Sequence, residues 1–333
     1  MHKTKKTLPP VFSGGTVRIG IFMNGEKAAK NRTIDTPPEA DGGYLARCAR
    51  IEAPVCKENI ENKIAFGDTF CVMPLLPRGF ADLIVADPPY NLTKNYGGNV
   101  FARMRDDAYE AYTRRWLSLA APLLKEGGSI YVCCDWRSSL AVGRVLGEFF
   151  EVKNRITWQR EKGRGAKANW KNGLEDIWFA VKGKNYTFDL EAVKVRRRVL
   201  APYREGGAPK DWREEGGEKF RDTCPSNFWD DITVPFWSMP ENTAHPAQKP
   251  EKLYAKLILA SSRAGETVFD PFAGSGTAAV VAKKLGRKFF GIEANAQYCI
   301  WAQQRLERAE HDKRIQGYDG KVFYERNTII HEK

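Results

Sequence analysis

Residues 267–277 read Thr-Val-Phe-Asp-Pro-Phe-Ala-Gly-Ser-Gly-Thr, an apolar run that ends in an acid and then a glycine loop. Such a run fits a buried strand. The glycines permit a tight turn into a helix whose first N–H groups have no partner within it. A second strand-like run, 288–292, ends at Glu293. An acidic side chain there can accept hydrogen bonds from both hydroxyls of a ribose. Strand, glycine loop, helix, strand and acid together imply an α/β fold with an adenosine-containing ligand at the carboxyl ends of its strands.

The loop also satisfies the G-x-G-x-x-A pattern of a dinucleotide site through Gly274, Gly276 and Ala279. Its position argues against a nicotinamide enzyme. It falls in the last fifth of the chain and leaves sequence for about two strands, whereas a dinucleotide fold begins at such a loop and needs three for its first half. The missing strands must come from the N-terminal half.

From Asn62 onward short apolar runs alternate with amphipathic stretches, the form of a mostly parallel sheet covered by helices. Strands are expected at 63–66, 82–86, 129–134, 155–158, 177–181, 267–270 and 288–292, and helices at 108–124, 137–149, 250–261, 276–285 and 296–309. Between Leu190 and Pro240 the alternation fails, which marks an insertion, either a recognition surface or a solvated loop. Residues before 62 are rich in Pro, Gly, Lys and Glu without a sustained period, and an irregular arm is expected there.

Composition excludes several classes. With 333 residues and 42% hydrophobic content the chain can bury its own core. Its seven cysteines contain no C-x-x-C pair, so neither a disulfide framework nor a zinc site is expected, and a reducing cytoplasm fits. The four histidines fall at no metal-ligand spacing with carboxylates, so no metal is expected. No apolar run reaches membrane-spanning length. A formal charge of +12 and a pI near 9.3 favour a polyanionic partner. Residues 153–184 concentrate that charge, with nine Lys or Arg against three acids.

Residues 82–90 read Asp-Leu-Ile-Val-Ala-Asp-Pro-Pro-Tyr, an apolar strand closed by Asp87, Pro88, Pro89 and Tyr90. At the carboxyl end of a strand in an open α/β sheet, these side chains face the ligand crevice. The prolines remove two backbone N–H groups and hold Asp87 extended, so the local backbone offers acceptors only. That suits an aromatic amine, which donates one hydrogen bond to the Asp87 carboxylate and the other to the Pro88 carbonyl while its ring stacks on Tyr90. Two acceptors on its protons favour a pyramidal nitrogen whose lone pair can attack an electrophilic carbon directly, by positioning and electrostatics. Attack through a ring carbon would instead need a cysteine nucleophile, typically after a proline, and no Pro-Cys pair exists.

Together the two motifs resemble the amino-methyltransferases of DNA modification, where Asp-Pro-Pro-Tyr carries catalysis and a Phe-x-Gly-x-Gly loop, here Phe272 to Gly276, binds S-adenosylmethionine. The order of tetrapeptide, insertion and glycine loop resembles the β-class, a circular permutation of the methyltransferase fold. His245-Pro246-Ala247-Gln248-Lys249-Pro250 resembles the family's His-Pro-x-Gln-Lys-Pro segment, which implies Lys249 at the methionine carboxylate. Gly67-Asp68 resembles the turn whose Asp meets the cofactor adenine. Residues 154–189 resemble paired strands beside the target-base pocket, with Leu174-Glu175 where the family sometimes has His-Glu.

The resemblance covers roughly residues 62–309. It implies a Rossmann-like α/β methyltransferase fold with a seven-stranded, circularly permuted sheet and an inserted recognition segment. The implied catalytic residues are Asp87, Pro88, Pro89 and Tyr90. The implied cofactor contacts are Asp68, Lys249, Asp270, Phe272, Ala273, Gly274, Ser275, Gly276, Thr277 and Glu293. The expected organisation is a basic extension (1–61), a catalytic half (62–189), a target-recognition insertion (190–240), a cofactor-binding half (241–310) and a tail (311–333). The implied reaction is methylation of adenine N6 in double-stranded DNA. Cytosine N4, an RNA substrate and a noncatalytic nucleic-acid-binding role are the alternatives. A homodimer and a cognate restriction endonuclease are compatible with the resemblance.

Overall fold

The structure, a computed structural model, describes residues 30–96, 99–160, 167–199, 203–215 and 217–326. Eight strands form the central sheet: β1 (Lys63–Phe66), β2 (Ala81–Ala86), β3 (Leu124–Cys134), β4 (Glu151–Gln159), β5 (Leu174–Val181), β6 (Phe228–Trp229), β7 (Thr267–Asp270) and β8 (Lys288–Glu293). Their spatial order is β1-β8-β7-β2-β3-β5-β4-β6. The first five run parallel, β5 is antiparallel to both neighbours, and β6 pairs parallel with β4. β7 and β8, from late in the chain, lie between β1 and β2, from early in it, which is the permuted arrangement that the late glycine loop requires.

The sheet was expected to have seven strands, and the eighth comes from the insertion. Phe228 and Trp229 pair with Thr157 and Trp158, and Asn227 Nδ2 donates to Arg155 O at 3.1 Å. β4 would otherwise present an open row of backbone groups, and a two-residue strand anchored by the buried Trp229 covers part of that edge.

Buried side chains alternate across the sheet: Leu83 and Val85 face one core, Ile84 and Ala86 the other. The second core is covered by α1 (Asp106–Ala120) and α2 (Ser139–Leu146). In α1 the buried Tyr109, Thr113, Trp116, Leu117 and Ala120 recur at helical spacing. The first core is covered by α3 (Glu251–Ser261), α4 (Thr277–Lys284) and α5 (Ala296–His311).

All eleven residues of α3 are buried, because a second sheet closes over its outer side. That sheet runs Arg213–Glu215, Glu218–Thr223, Val195–Arg198, Val322–Tyr324, Tyr318–Asp319. The insertion is therefore strand-forming, and the stretch expected as a tail supplies two of its strands. Alternation was invisible there because the strands are short and set only a few apolar residues, such as Val195 and Phe323, among ion pairs such as Arg196–Asp222 and Arg221–Asp211. Lys252 and Lys256 of α3 hold Asp231 of the insertion in a buried cluster.

The described part of the N-terminal extension is irregular but packed: Ile34 is buried against Tyr298, Ile300 and Trp301. Residues 1–29, the end of the expected tail (327–333) and part of the basic stretch (161–166) lie outside the described residues. No helix among the described residues is long and apolar enough to cross a membrane.

Candidate active site

The glycine loop leaves β7 at Asp270, whose Oδ1 accepts the Phe272 N–H at 2.9 Å and closes the turn. Burial pushes the Asp270 carboxyl well up. Gly274 and Gly276 have φ of +54° and +76°, which side chains other than glycine's rarely adopt. A Cβ on Gly276 would lie 2.7 Å from the Ala302 Cβ, so the loop can lie against α5 only with glycine there. Arg305 of α5, 2% exposed, donates to Ser275 O and Thr277 Oγ1, each at 2.9 Å. Glu293, at the end of β8, accepts the Gly274 N–H on Oε2 and the Asn295 N–H on Oε1, both at 2.7 Å. On the far side of β8, Asp68 follows β1 and caps the one-turn helix Thr69–Val72 through a 2.8 Å bond from Phe70 N.

The tetrapeptide leaves β2 and is clamped from behind. The Tyr109 hydroxyl of α1 donates to Pro89 O at 3.0 Å. Asn91 pairs with Met104 in both directions and donates its N–H to Ser138 Oγ at 3.1 Å. Tyr90 donates its hydroxyl to Glu175 Oε2 at 3.1 Å. With its backbone and ring held in this way, the Asp87 carboxylate needs little rearrangement to meet a ligand.

Lys249, which the resemblance places at the methionine carboxylate, meets two side-chain carboxylates in the wall of the site. It is buried, its Nζ lies 2.5 Å from Asp87 Oδ2 and 3.5 Å from Glu175 Oε2, and it stands 5.2 Å from the centre of the Tyr90 ring. Burial alone would lower its pKa, but Asp87 and Glu175 outweigh that and hold the ammonium above its ordinary range. In this structure Lys249 serves two side-chain carboxylates. His245 sits edge-on to Tyr298 with ring centres 4.3 Å apart, and its Nδ1 accepts the Ala247 N–H. Burial and then the charges of Lys249, Lys94 and Arg305 push it down to about 3, so it is neutral.

A single cavity of about 380 Å³ joins the two motifs. Asp87, Pro88, Pro89, Tyr90 and Lys249 line it, together with Asp68, Phe272, Ala273, Gly274, Ser275, Thr277 and Glu293. Asp270 and Gly276 stand behind its wall, where they shape the loop. Two wall residues carried no role in the sequence: Glu175, at the start of β5, and Arg160, its ion-pair partner just beyond β4. The signal was a charge opening an otherwise apolar strand. The most telling atom is Asp87 Oδ1, which is buried and has no hydrogen-bond partner among the described residues.

The sequence model of the DNA methylase family matches residues 81–304, a span that holds both motifs. The chain is 35% identical over 260 residues to the DNA adenine methyltransferase YhdJ of Escherichia coli (strain K12), covering 76% of this chain and 85% of the relative. It is 33% identical over 249 residues to the Type II methyltransferase M.HpaI of Haemophilus parainfluenzae, covering 73% and 72%. In fold it is similar to the cytosine-N4-specific PvuII DNA methyltransferase, with a TM-score of 0.53 at 16% identity, covering 75% and 92%. It is also similar to a DNA modification methylase of Thermus thermophilus in complex with S-adenosyl-L-methionine, with a TM-score of 0.51 at 19% identity, covering 80% and 99%. With the tetrapeptide and the glycine loop facing one cavity inside the matched span, the chain belongs to the N6/N4 family of amino-DNA methylases.

Proposed function

We propose that the chain is a site-specific DNA methyltransferase that moves a methyl group from S-adenosylmethionine to N6 of adenine in duplex DNA, by in-line displacement after base flipping. One observation carries this reading: in Asp87, which lines the cavity, the carboxylate oxygen Oδ1 is buried without a partner among the described residues, and an unsatisfied acceptor is costly unless a ligand supplies a donor. An exocyclic amine is such a donor.

The residues present fit the cofactor. Gly274 leaves backbone exposed where a Cβ would come within 3.2 Å of His245 Nε2, and Glu293 is pre-oriented by two backbone N–H groups with lone pairs left for ribose hydroxyls. When bound, S-adenosylmethionine supplies an electrophilic methyl on a positively charged sulfur. Asp87 and the Pro88 carbonyl accept hydrogen bonds from the two amine protons, Tyr90 offers its ring for stacking, and Glu175 fixes that ring through its hydroxyl.

Adenine is favoured over cytosine by the name of the Escherichia coli relative and by the Asp at the first tetrapeptide position, a stronger acceptor than a hydroxyl. Incubation with labelled S-adenosylmethionine and duplex DNA or RNA, then digestion to nucleosides and mass spectrometry, tests this. N6-methyldeoxyadenosine is expected. N4-methyldeoxycytidine alone would overturn the adenine assignment, and label in RNA alone would overturn the substrate.

A further inference from the structure

Glu175 is 5% exposed and charged, and fixing the Tyr90 hydroxyl leaves most of its carboxylate unexplained. Its Oε1 meets the Arg160 guanidinium and its Oε2 lies 3.5 Å from the same Lys249 Nζ that sits 2.5 Å from Asp87 Oδ2. One buried ammonium is thus shared by two carboxylates, and a guanidinium balances the second. We propose that Glu175 is a positioning residue for methyl transfer, which keeps Lys249 charge-paired while Asp87 takes up the proton that the amine must lose. The relation rests on the function proposed above.

After transfer the nitrogen carries a positive charge. One N–H bond breaks, its electron pair stays on nitrogen, and the proton goes to Asp87 Oδ1, the oxygen without a partner. Asp87 becomes neutral and no longer compensates Lys249. With Glu175 in place the group Asp87, Glu175, Lys249 and Arg160 passes from neutral to a single positive charge, and the ammonium keeps a carboxylate within 3.5 Å. With a neutral residue at 175 the same step leaves the buried Lys249 ammonium, and the half-buried Arg160 guanidinium beside it, without either carboxylate, which opposes proton uptake. Release of the proton from Asp87 to water restores the resting pair.

Glu175→Gln keeps the size and an acceptor for the Tyr90 hydroxyl while removing the charge. Cofactor and duplex affinities should stay within about twofold of the wild type, and the single-turnover transfer rate should fall about 10- to 100-fold. Glu175→Asp, shorter but charged, should recover most of that loss, which a merely structural role would not predict. Because Glu175 acts through Lys249, Glu175→Gln placed on Lys249→Met should cost little beyond Lys249→Met alone. The relation is overturned if Glu175→Gln transfers at the wild-type rate, if its affinities fall in step with its rate, if Glu175→Asp is as slow as Glu175→Gln, or if the two losses multiply. A wild type that methylates no amine would overturn the proposed function instead, and this relation with it.

Discussion

Glu293 Oε2 accepts the Gly274 N–H at 2.7 Å, so the acid ending β8 is tied to the loop that follows its neighbour β7. Burial pushes the Glu293 carboxyl up to about 7 in spite of the backbone N–H groups that favour its ionised form. For an acid whose folded value is raised, the stabilising contribution is full below the ordinary 4.5 and is lost as pH rises through about 7. Ribose hydroxyls donate best to the ionised carboxylate, so cofactor affinity should rise between about pH 6 and 8 with release of a proton. Calorimetry in two buffers of different ionisation enthalpy reads both, and a flat affinity across that range counts against the contact. Glu293→Ala should weaken cofactor binding by about tenfold or more.

Asp87→Asn should lower methyl transfer by about 100- to 10,000-fold while leaving cofactor affinity near the wild-type value, because the carboxylate serves the amine. The side chain also pairs with buried Lys249, and breaking such a pair costs about 3–5 kcal/mol when nothing replaces the partner. Glu175 remains 3.5 Å from the ammonium, so the loss should be smaller, visible as a modest fall in Tm. Equal loss of cofactor binding in calorimetry would refute this division of labour.

The strands that carry the two motifs were legible because β2 and β7 are short apolar runs that end in an acid, a proline or a glycine with a local geometric reason to be there. β1 and β7 match their expected limits, and β3, β4 and β5 extend beyond them. The second sheet was not legible. Its ladder joins Val195–Arg198 to Val322–Tyr324, more than a hundred residues apart, and no local period records such a pairing. Lys249 shows the same limit at one residue: its pairing with Asp87 and Glu175, at the ends of β2 and β5, is made across the fold and leaves no trace in the sequence around it.

Gly276→Ala should damage fold and cofactor site together. The new Cβ would meet Ala302 Cβ at 2.7 Å and would sit at a φ of +76°, each of which costs about 1–3 kcal/mol. Relief requires α5 to move away, which would disturb the Arg305 bonds to Ser275 and Thr277. Thermal melting with and without cofactor reads the effect. An unchanged melting temperature and affinity would mean that the loop does not depend on this contact.

Duplex binding should weaken steeply with salt, but fewer cations than the sequence suggests should contribute. In the insertion Arg196, Arg198, Arg213 and Arg221 are engaged by Asp222, Glu218 and Asp211, which leaves less charge for phosphates. Lys167 and Lys171, exposed on the stretch that leads to Asn172 in the cavity wall, are better placed. Replacing either with Ala should reduce the slope of log affinity against log salt by about 1, whereas Arg196→Ala should mainly lower Tm. Fluorescence anisotropy from about 50 to 200 mM salt separates the two effects, and equal slopes in all variants would remove the lysines from the interface.

The target base must leave the helix to reach Asp87, because its amine is paired inside a duplex and Asp87 Oδ1 is buried within the wall of a cavity of about 380 Å³. Extrusion costs a few kcal/mol, least for a base that is already unpaired. A duplex with a mismatch at the target should therefore bind more tightly than the matched one, by about 10-fold or more, while the transfer step, once the base is seated, stays the same. A fluorescent adenine analogue at the target should brighten on binding as it unstacks. Asp87→Asn should not abolish that brightening, since the residue acts on the amine after the base has arrived. An analogue that stays quenched in the complex, with matched and mismatched duplexes binding alike, would mean that the base is not flipped, and the unpartnered oxygen of Asp87 would need another donor.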